Sequence, residues 1–254
     1  MLFMQVARQG LIFDTLTEIA ADGTLRGELA TAWQGSADGR VWLVDLRKDV
    51  LFHDQRPMTA RDVVASLALD GVVEATGPHQ LRITMDAPAM DLPFTLADPR
   101  HVIRAAHAMD DGIGTGLYRL RRFTPGQQVL AERVADHYKG RSAGWFDTVE
   151  LVSIPAQQVR AQAMAEYLVE AADLNDGEAL QSYDDIALLP HARGVTHAVS
   201  RSIAMPLRTS SHPVTKCDVR QGNRIASTGK PRAASRARAA PVRSISTQGA
   251  PAKP

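Results

Sequence analysis

A single cysteine, Cys217, stands in the sequence, so no intrachain disulfide can form, and one thiol among eight scattered histidines has no structural-zinc spacing. No apolar run approaches the roughly 18 to 20 residues that cross a bilayer as a helix, which excludes a membrane-spanning helix. Aromatics are scarce, 13 in 254 residues, and none follows Tyr183. Acidic residues are scarce in one region: from Arg201 onward Asp218 stands alone against 11 basic residues, whereas residues 1–200 carry 27 acidic and 18 basic. The formal charge of +1 therefore hides an acidic, core-forming body and a basic tail. The start Met-Leu-Phe-Met-Gln-Val lacks the basic and long apolar regions of a secretory signal, so no export address is expected in the chain as written.

What is present reads as mixed strands and helices. Asp22-Gly23 and Ser36-Ala-Asp-Gly39 are turns, and Val41-Trp-Leu-Val-Asp-Leu46 alternates as a strand whose Trp42, Val44 and Leu46 face is the more apolar. Val50-Leu-Phe52 reads as another short strand. Pro57-Met-Thr-Ala-Arg-Asp62 is a helix start, with Thr59 as the capping residue and Asp62 in the positive first turn. Gln80–Met85 alternates with Leu81, Ile83 and Met85 inward. Tyr118-Arg-Leu and Gln128–Arg133, joined through Thr124-Pro-Gly126, form a hairpin; Val149–Ile154 is a strand, and Ala156–Ala172 a helix. Trp33, Trp42, Phe52, Leu67, Ile83 and Leu151 are expected in the core. Residues 222–254 hold 8 Ala, 7 Lys or Arg, 4 Pro, 4 Ser and no acid or aromatic, a composition expected to stay disordered.

Frames for chemistry are mostly missing. His101 and His107, and likewise His191 and His197, are six apart, not the four that place two imidazoles on one helical face, so no metal site is expected. Gly35-Ser36 breaks the nucleophile-elbow frame, and the turn reading is preferred. Gly112-Ile-Gly-Thr-Gly116 lacks a third dinucleotide glycine and precedes a strand, so a tight backbone passage is favoured over a cofactor loop, and no cofactor is expected. The basic tail has no interleaved aromatics and no groove-reading motif, so no specific nucleic-acid partner is expected.

The order of motifs carries more. Leu11-Ile-Phe-Asp-Thr-Leu16, Leu29-Ala-Thr-Ala-Trp33, Ser36–Trp42, Leu46-Arg-Lys-Asp-Val50, Phe52-His-Asp54, Pro57–Ser66, Ile113-Gly-Thr-Gly-Leu-Tyr118, Pro125-Gly126, Glu132-Arg133, Asp136-His-Tyr-Lys-Gly140 and Phe146–Pro155 follow in sequence. Together they resemble the family 5 extracellular solute-binding proteins, the peptide and nickel receptors of ABC importers, over residues 10 to about 175. Asp218-Val-Arg-Gln221 is a fainter continuation.

That resemblance implies an α/β, type II periplasmic-binding-protein-like fold, mostly lobe I only, with residues 1–200 as the partial lobe, 201–221 as a fading match and 222–254 as a disordered basic tail. It implies a periplasmic, non-enzymatic substrate-binding component for peptides or other small polar solutes, with an ABC permease as the partner of the full-length parent. The resemblance also points to Arg100 as a ligand-facing arginine and to Thr115 and Tyr118 as a wall of the same cleft. A solvated Arg100 and a packing role for Thr115 and Tyr118 are the competing readings. Relatives usually carry Gly where Gln55-Arg56 stands, so a positive φ there would be costly, and they have a longer insertion between Leu69 and Gly71. Beyond Gln221 the change to Ala, Arg, Pro, Ser and Gly is what out-of-frame translation of a GC-rich gene yields, so a truncated or frameshifted remnant is expected. An enzyme of unknown class and a nucleic-acid-associated protein acting through its tail are the alternatives.

Overall fold

The computed structural model describes residues 10–20, 22–140, 143, 146–190 and 194–200, and the backbone alone at 191 and 242–246. They fall into two compact units. Among the described residues, one is built from 10–122 together with 131–143, the other from Phe123–Leu130 and the residues from 146 onward.

The first unit begins with a short antiparallel ladder of β1 (Thr17–Ile19) and β2 (Leu25–Gly27). Its main layer is an antiparallel sheet formed by β3 (Ala30–Gly35), β4 (Val41–Leu46), β5 (Gly71–Gly77) and β6 (Gln80–Met85), in the order β3-β4-β6-β5. Trp42, Val44 and Leu46 on β4 are buried while Leu43 is 45% exposed, as the alternation requires. The register sets Trp42 opposite Ile83 and Val44 opposite Leu81, so one face of two strands forms the floor of the core. Trp33 is only half-buried, because β3 is an edge strand with one neighbour; the other residues expected in the core are buried.

Helix α1 (Ala60–Ser66) starts where the sequence places it. The Asp62 carboxylate accepts from both the backbone N–H and the hydroxyl of Thr59, at 2.8 and 2.9 Å, and its other oxygen accepts from Ala106 N–H at 3.0 Å. One acid thus caps the helix and pins a distant loop. Only Leu67–Asp70 separate α1 from β5. A second helix, α2 (Leu92–Thr95), is a single turn entered through Pro93.

Val50–Phe52 is not a strand. The chain reverses at once, Phe52 N–H donating to Arg56 O at 2.9 Å, and leaves one isolated bridge, Leu51 to Pro57. The reversal is made by Gln55 at φ +70°, the left-handed region that costs a side-chain-bearing residue about 1 to 2 kcal/mol. Gln55→Gly is expected to raise stability by about 0.5 to 1 kcal/mol after glycine's larger unfolded-state entropy is set against that relief, measured as a higher urea midpoint with unchanged m.

β7 (Tyr118–Thr124) and β8 (Gln128–Arg133) form a hairpin turning at Gly126, of which Phe123–Leu130 belongs to the second unit. In the second unit β9 (Thr148–Ser153), α3 (Gln157–Ala165), β10 (Ala171–Leu174), β11 (Ile186–His191) and β12 (Val195–Ser200) follow. α3 packs on β10 around Met164, Ala172 and Leu174. It ends seven residues earlier than its Ala-rich composition predicts. Tyr167 at φ +56° ends it, with Leu168 N–H donating to Ala163 O and Tyr167 N–H to Met164 O, at 2.9 and 3.1 Å, which closes the helix in a Schellman motif. The same strained residue returns the chain into β10.

Arg160, on α3, is 1% exposed. Its guanidinium donates to the carbonyls of Asp173 at 2.8 Å, Ile154 at 2.7 Å and Pro155 at 2.8 Å, binding both ends of the β9–α3–β10 connection. Arg160→Met is expected to cost about 3 kcal/mol or more by orphaning buried acceptors, seen as a lowered melting temperature of this unit.

The expected disorder of 222–254 lies outside the described residues except at Val242–Ser246, which form strand β13 between β9 and β10. There two flanking strands supply backbone partners that composition does not report. The sheet order is β11-β12-β10-β13-β9-β8-β7.

Candidate functional site

In the first unit the Gly114-Thr-Gly116 segment runs beside the backbone of Leu11–Asp14. Gly116 N–H donates to Ile12 O at 3.0 Å and Tyr118 N–H to Leu11 O at 2.8 Å. The approach leaves no room for a side chain: a Cβ on Gly114 would lie 1.9 Å from Ile12 O, and one on Gly116 2.5 Å from Leu11 O. The tight-passage reading of these glycines therefore holds.

Two histidines grip the segment through its backbone. His53 Nε2 lies 2.9 Å from Gly116 O, and His137 Nε2 lies 2.7 Å from Thr115 O. A carbonyl only accepts, so both rings carry their proton on Nε2. Each Nδ1 then accepts a backbone N–H, from Gly114 at 3.4 Å and from Lys139 at 3.1 Å. Burial holds both imidazoles below the usual histidine range.

Beneath this clamp lies a buried charged cluster. The Thr115 hydroxyl donates to Asp14 Oδ2 at 3.0 Å, Lys139 Nζ pairs with Asp14 at 3.5 Å and with Glu28, and the Tyr138 hydroxyl donates to Glu28 at 2.7 Å. Burial, then the charge of Asp14, pushes Glu28 up to about 7, with Lys139 opposing. The two carboxylates hold the Lys139 ammonium above its usual range against the burial that would lower it. Burial with the same carboxylates raises the Tyr138 phenol. One cation between two acids keeps the cluster anionic until Glu28 takes a proton.

Above the clamp a recess of about 230 Å³ opens, with Phe52, His53, Gln55, Gly116, His137 and Tyr138 among its walls. Thr115 is fully buried and Tyr118 is 5% exposed, so both stand behind this surface. Arg100 lies on the 3-10 turn Pro99–His101, its side chain 78% exposed and its fork donating to Asp98 at 3.0 and 3.2 Å. Sequence reasoning passed over His53, His137, Lys139, Asp14 and Glu28 as candidates; His53 and the His137–Lys139 run lie inside motif blocks it had already noted. Among the described residues no group of three or more His, Cys, Asp or Glu is arranged for a metal ion, and His107 Nε2 instead meets Asp54 at 2.8 Å.

The profile of the bacterial extracellular solute-binding proteins, family 5 Middle, matches residues 24–222. The chain belongs to this family. It is similar to the uncharacterized protein YhjP of Bacillus subtilis, 31% identical over 157 residues, which are 56% of this chain and 27% of that protein. It is also similar to the probable D,D-dipeptide-binding periplasmic protein DdpA of Escherichia coli, 26% identical over 46% of this chain and 29% of that one. Among solved structures, the nickel ABC transporter protein of Bacillus halodurans superposes with a TM-score of 0.66 at 26% identity, over 73% of this chain and 42% of its own. The fold is thus the mixed α/β fold of periplasmic binding proteins, over part of its length. The chain spans under a third of these curated relatives and well under half of the solved one.

The clamp makes stability depend on pH. The lowered histidines are protonated first in the unfolded chain, so their contribution is complete above pH 6.5 and declines as pH falls below it. Glu28, raised from 4.5 to about 7, works in reverse, since the folded state takes its proton first and gains as pH falls from 7 to 4.5. The two act in opposition, so as pH falls from 6.5 toward 4.5 the melting temperature of Glu28→Gln, which lacks the opposing proton, should drop relative to that of the parent. Parallel curves for the two proteins would refute this account.

Proposed function

We propose that these residues supply part of the ligand cleft of a periplasmic receptor that captures peptides or nickel chelates and passes them to an ABC permease, with no chemistry performed on the ligand. The carrying observation is the family match over residues 24–222, joined to a rigid glycine segment facing an open recess. Similarity to a probable D,D-dipeptide-binding protein and to a nickel ABC transporter protein supports this ligand range.

On this reading Thr115 and Tyr118 act from behind the wall by fixing the Gly114–Gly116 backbone, and Arg100 is the group that exchanges Asp98 for a ligand carboxylate. The 254 residues by themselves behave as an inactive remnant and bind weakly, because one open wall buries little of a ligand compared with an enclosed cleft. Isothermal titration with a panel of di- and oligopeptides and nickel–histidine should give Kd values weaker than about 10 μM. Arg100→Ala should weaken further any carboxylate ligand that does bind. A sub-micromolar Kd would overturn the weak-binding reading, and an unchanged Kd in Arg100→Ala would remove Arg100 from the site.

A further inference from the structure

The main sheet of the first unit ends on an open edge. In the order β3-β4-β6-β5, β5 pairs with β6 alone among the described residues, so alternate N–H and C=O groups along it point away from the sheet. Its regular part is Gly71–Ala75, because the register shifts between Ala75 and Gly77. That stretch holds neither Pro nor Lys, the residues that blunt such edges, and its one charge is Glu74. Val73 packs on the core, whereas Val72 is 55% exposed and Glu74 is exposed on the same face.

Charge decides what kind of strand fits. Antiparallel pairing of this edge with its own copy keeps both cores on one face of the joined sheet only when the two-fold axis passes through a residue, since a slip of one position turns every side chain over. An axis at Val72 sets Asp70 opposite the partner's Glu74, and an axis at Glu74 sets that carboxylate opposite itself, so both registers oppose like charges. An axis at Val73 opposes none. It sets Val72 against the partner's Glu74, Gly71 against the partner's Ala75, and Asp70 against the partner's Thr76. Thr76 lines a recess of about 520 Å³ together with Thr59, Arg61 and Pro78. Asp70 and Arg61 are exposed, and neither has an ion-pair partner among the described residues, so each copy brings an acid to the other's base.

We infer that the β5 edge is a self-association surface, on which two copies of this chain join their sheets in antiparallel register about Val73, with Asp70 of each reaching Arg61 of the other. Two strand edges and two ion pairs bury less than the roughly 1,200 Å² of a stable interface, so the pairing is weak, with a Kd of about 10 to 100 μM. This inference does not depend on the receptor function, because it rests on the sheet edge and not on the recess beside His53 and His137.

Analytical ultracentrifugation of the full chain tests it. Between about 1 and 500 μM the weight-average mass should rise from that of one chain toward that of two. Val72→Glu places a carboxylate against the partner's Glu74 twice in each dimer and should weaken association about tenfold, whereas Val72→Lys should leave it as strong or strengthen it. Asp70→Arg or Arg61→Asp alone should also weaken it about tenfold, and the two together should recover most of the loss. All three positions are exposed, so the melting temperatures of the variants at about 1 μM should stay with that of the parent. A single-chain mass at every concentration would overturn the proposal. So would a dimer that Val72→Glu and Val72→Lys affect alike, or one that the paired charge exchange does not restore.

Discussion

Replacing Gly114 by alanine should unfold the first unit or bring it to the edge of unfolding. The new methyl group would sit 1.9 Å from Ile12 O, a backbone atom that cannot swing aside as a side-chain end can. Relief requires the two segments to separate by more than an ångström. That breaks the bonds from Gly116 to Ile12 and from Tyr118 to Leu11, and disturbs the His53 contacts to Gly114 and Gly116. A loss above about 4 kcal/mol is expected, against a total of about 5 to 15 for a typical domain. Gly77→Ala is the control: its Cβ would meet nothing closer than 3.9 Å and its φ is not positive, so stability should change little. Chemical denaturation of both variants decides the matter, and similar midpoints would show that the glycine passage is not tight.

Lys139→Met should cost about 3 to 5 kcal/mol at pH 8, since it removes the cation between two buried carboxylates and leaves both without their ion-pair partner. Without the ammonium, Glu28 loses the one charge that opposes its upward shift. The variant should therefore recover part of its stability by taking up protons as pH is lowered. The difference between variant and parent is expected to be smaller at pH 5 than at pH 8. A deficit that does not change with pH would mean that the damage is lost packing of the lysine stem and not stranded charge.

Much of the fold was legible because its signals are local. The alternation of β4 and β6, the Thr59 and Asp62 pair at the start of α1 and the hairpin around Gly126 each depend on neighbours a few positions away, whereas the costly residue at Gln55 was read from the family resemblance. The family resemblance was legible for a different reason, since it rests on many short motifs in a fixed order. Where local signals conflicted, the reading failed. Val50–Phe52 has strand residues but meets a reversal four positions on, and the Ala-rich run after Gln157 continues past the left-handed residue that ends its helix.

The sequence by itself determined the strand faces, the helix start, the crowding of Gly112, Gly114 and Gly116 and the family, because backbone period, capping chemistry and motif order are properties of the chain. Tertiary structure alone decided that Lys139 meets Asp14 and Glu28 across more than a hundred residues, that His53 and His137 hold the glycine segment from two separate loops, that Arg160 is buried, and that Val242–Ser246 enters a sheet. A polar residue's worth depends on what burial brings beside it. No periodicity records that, because those partners are chosen only when distant segments close on one another.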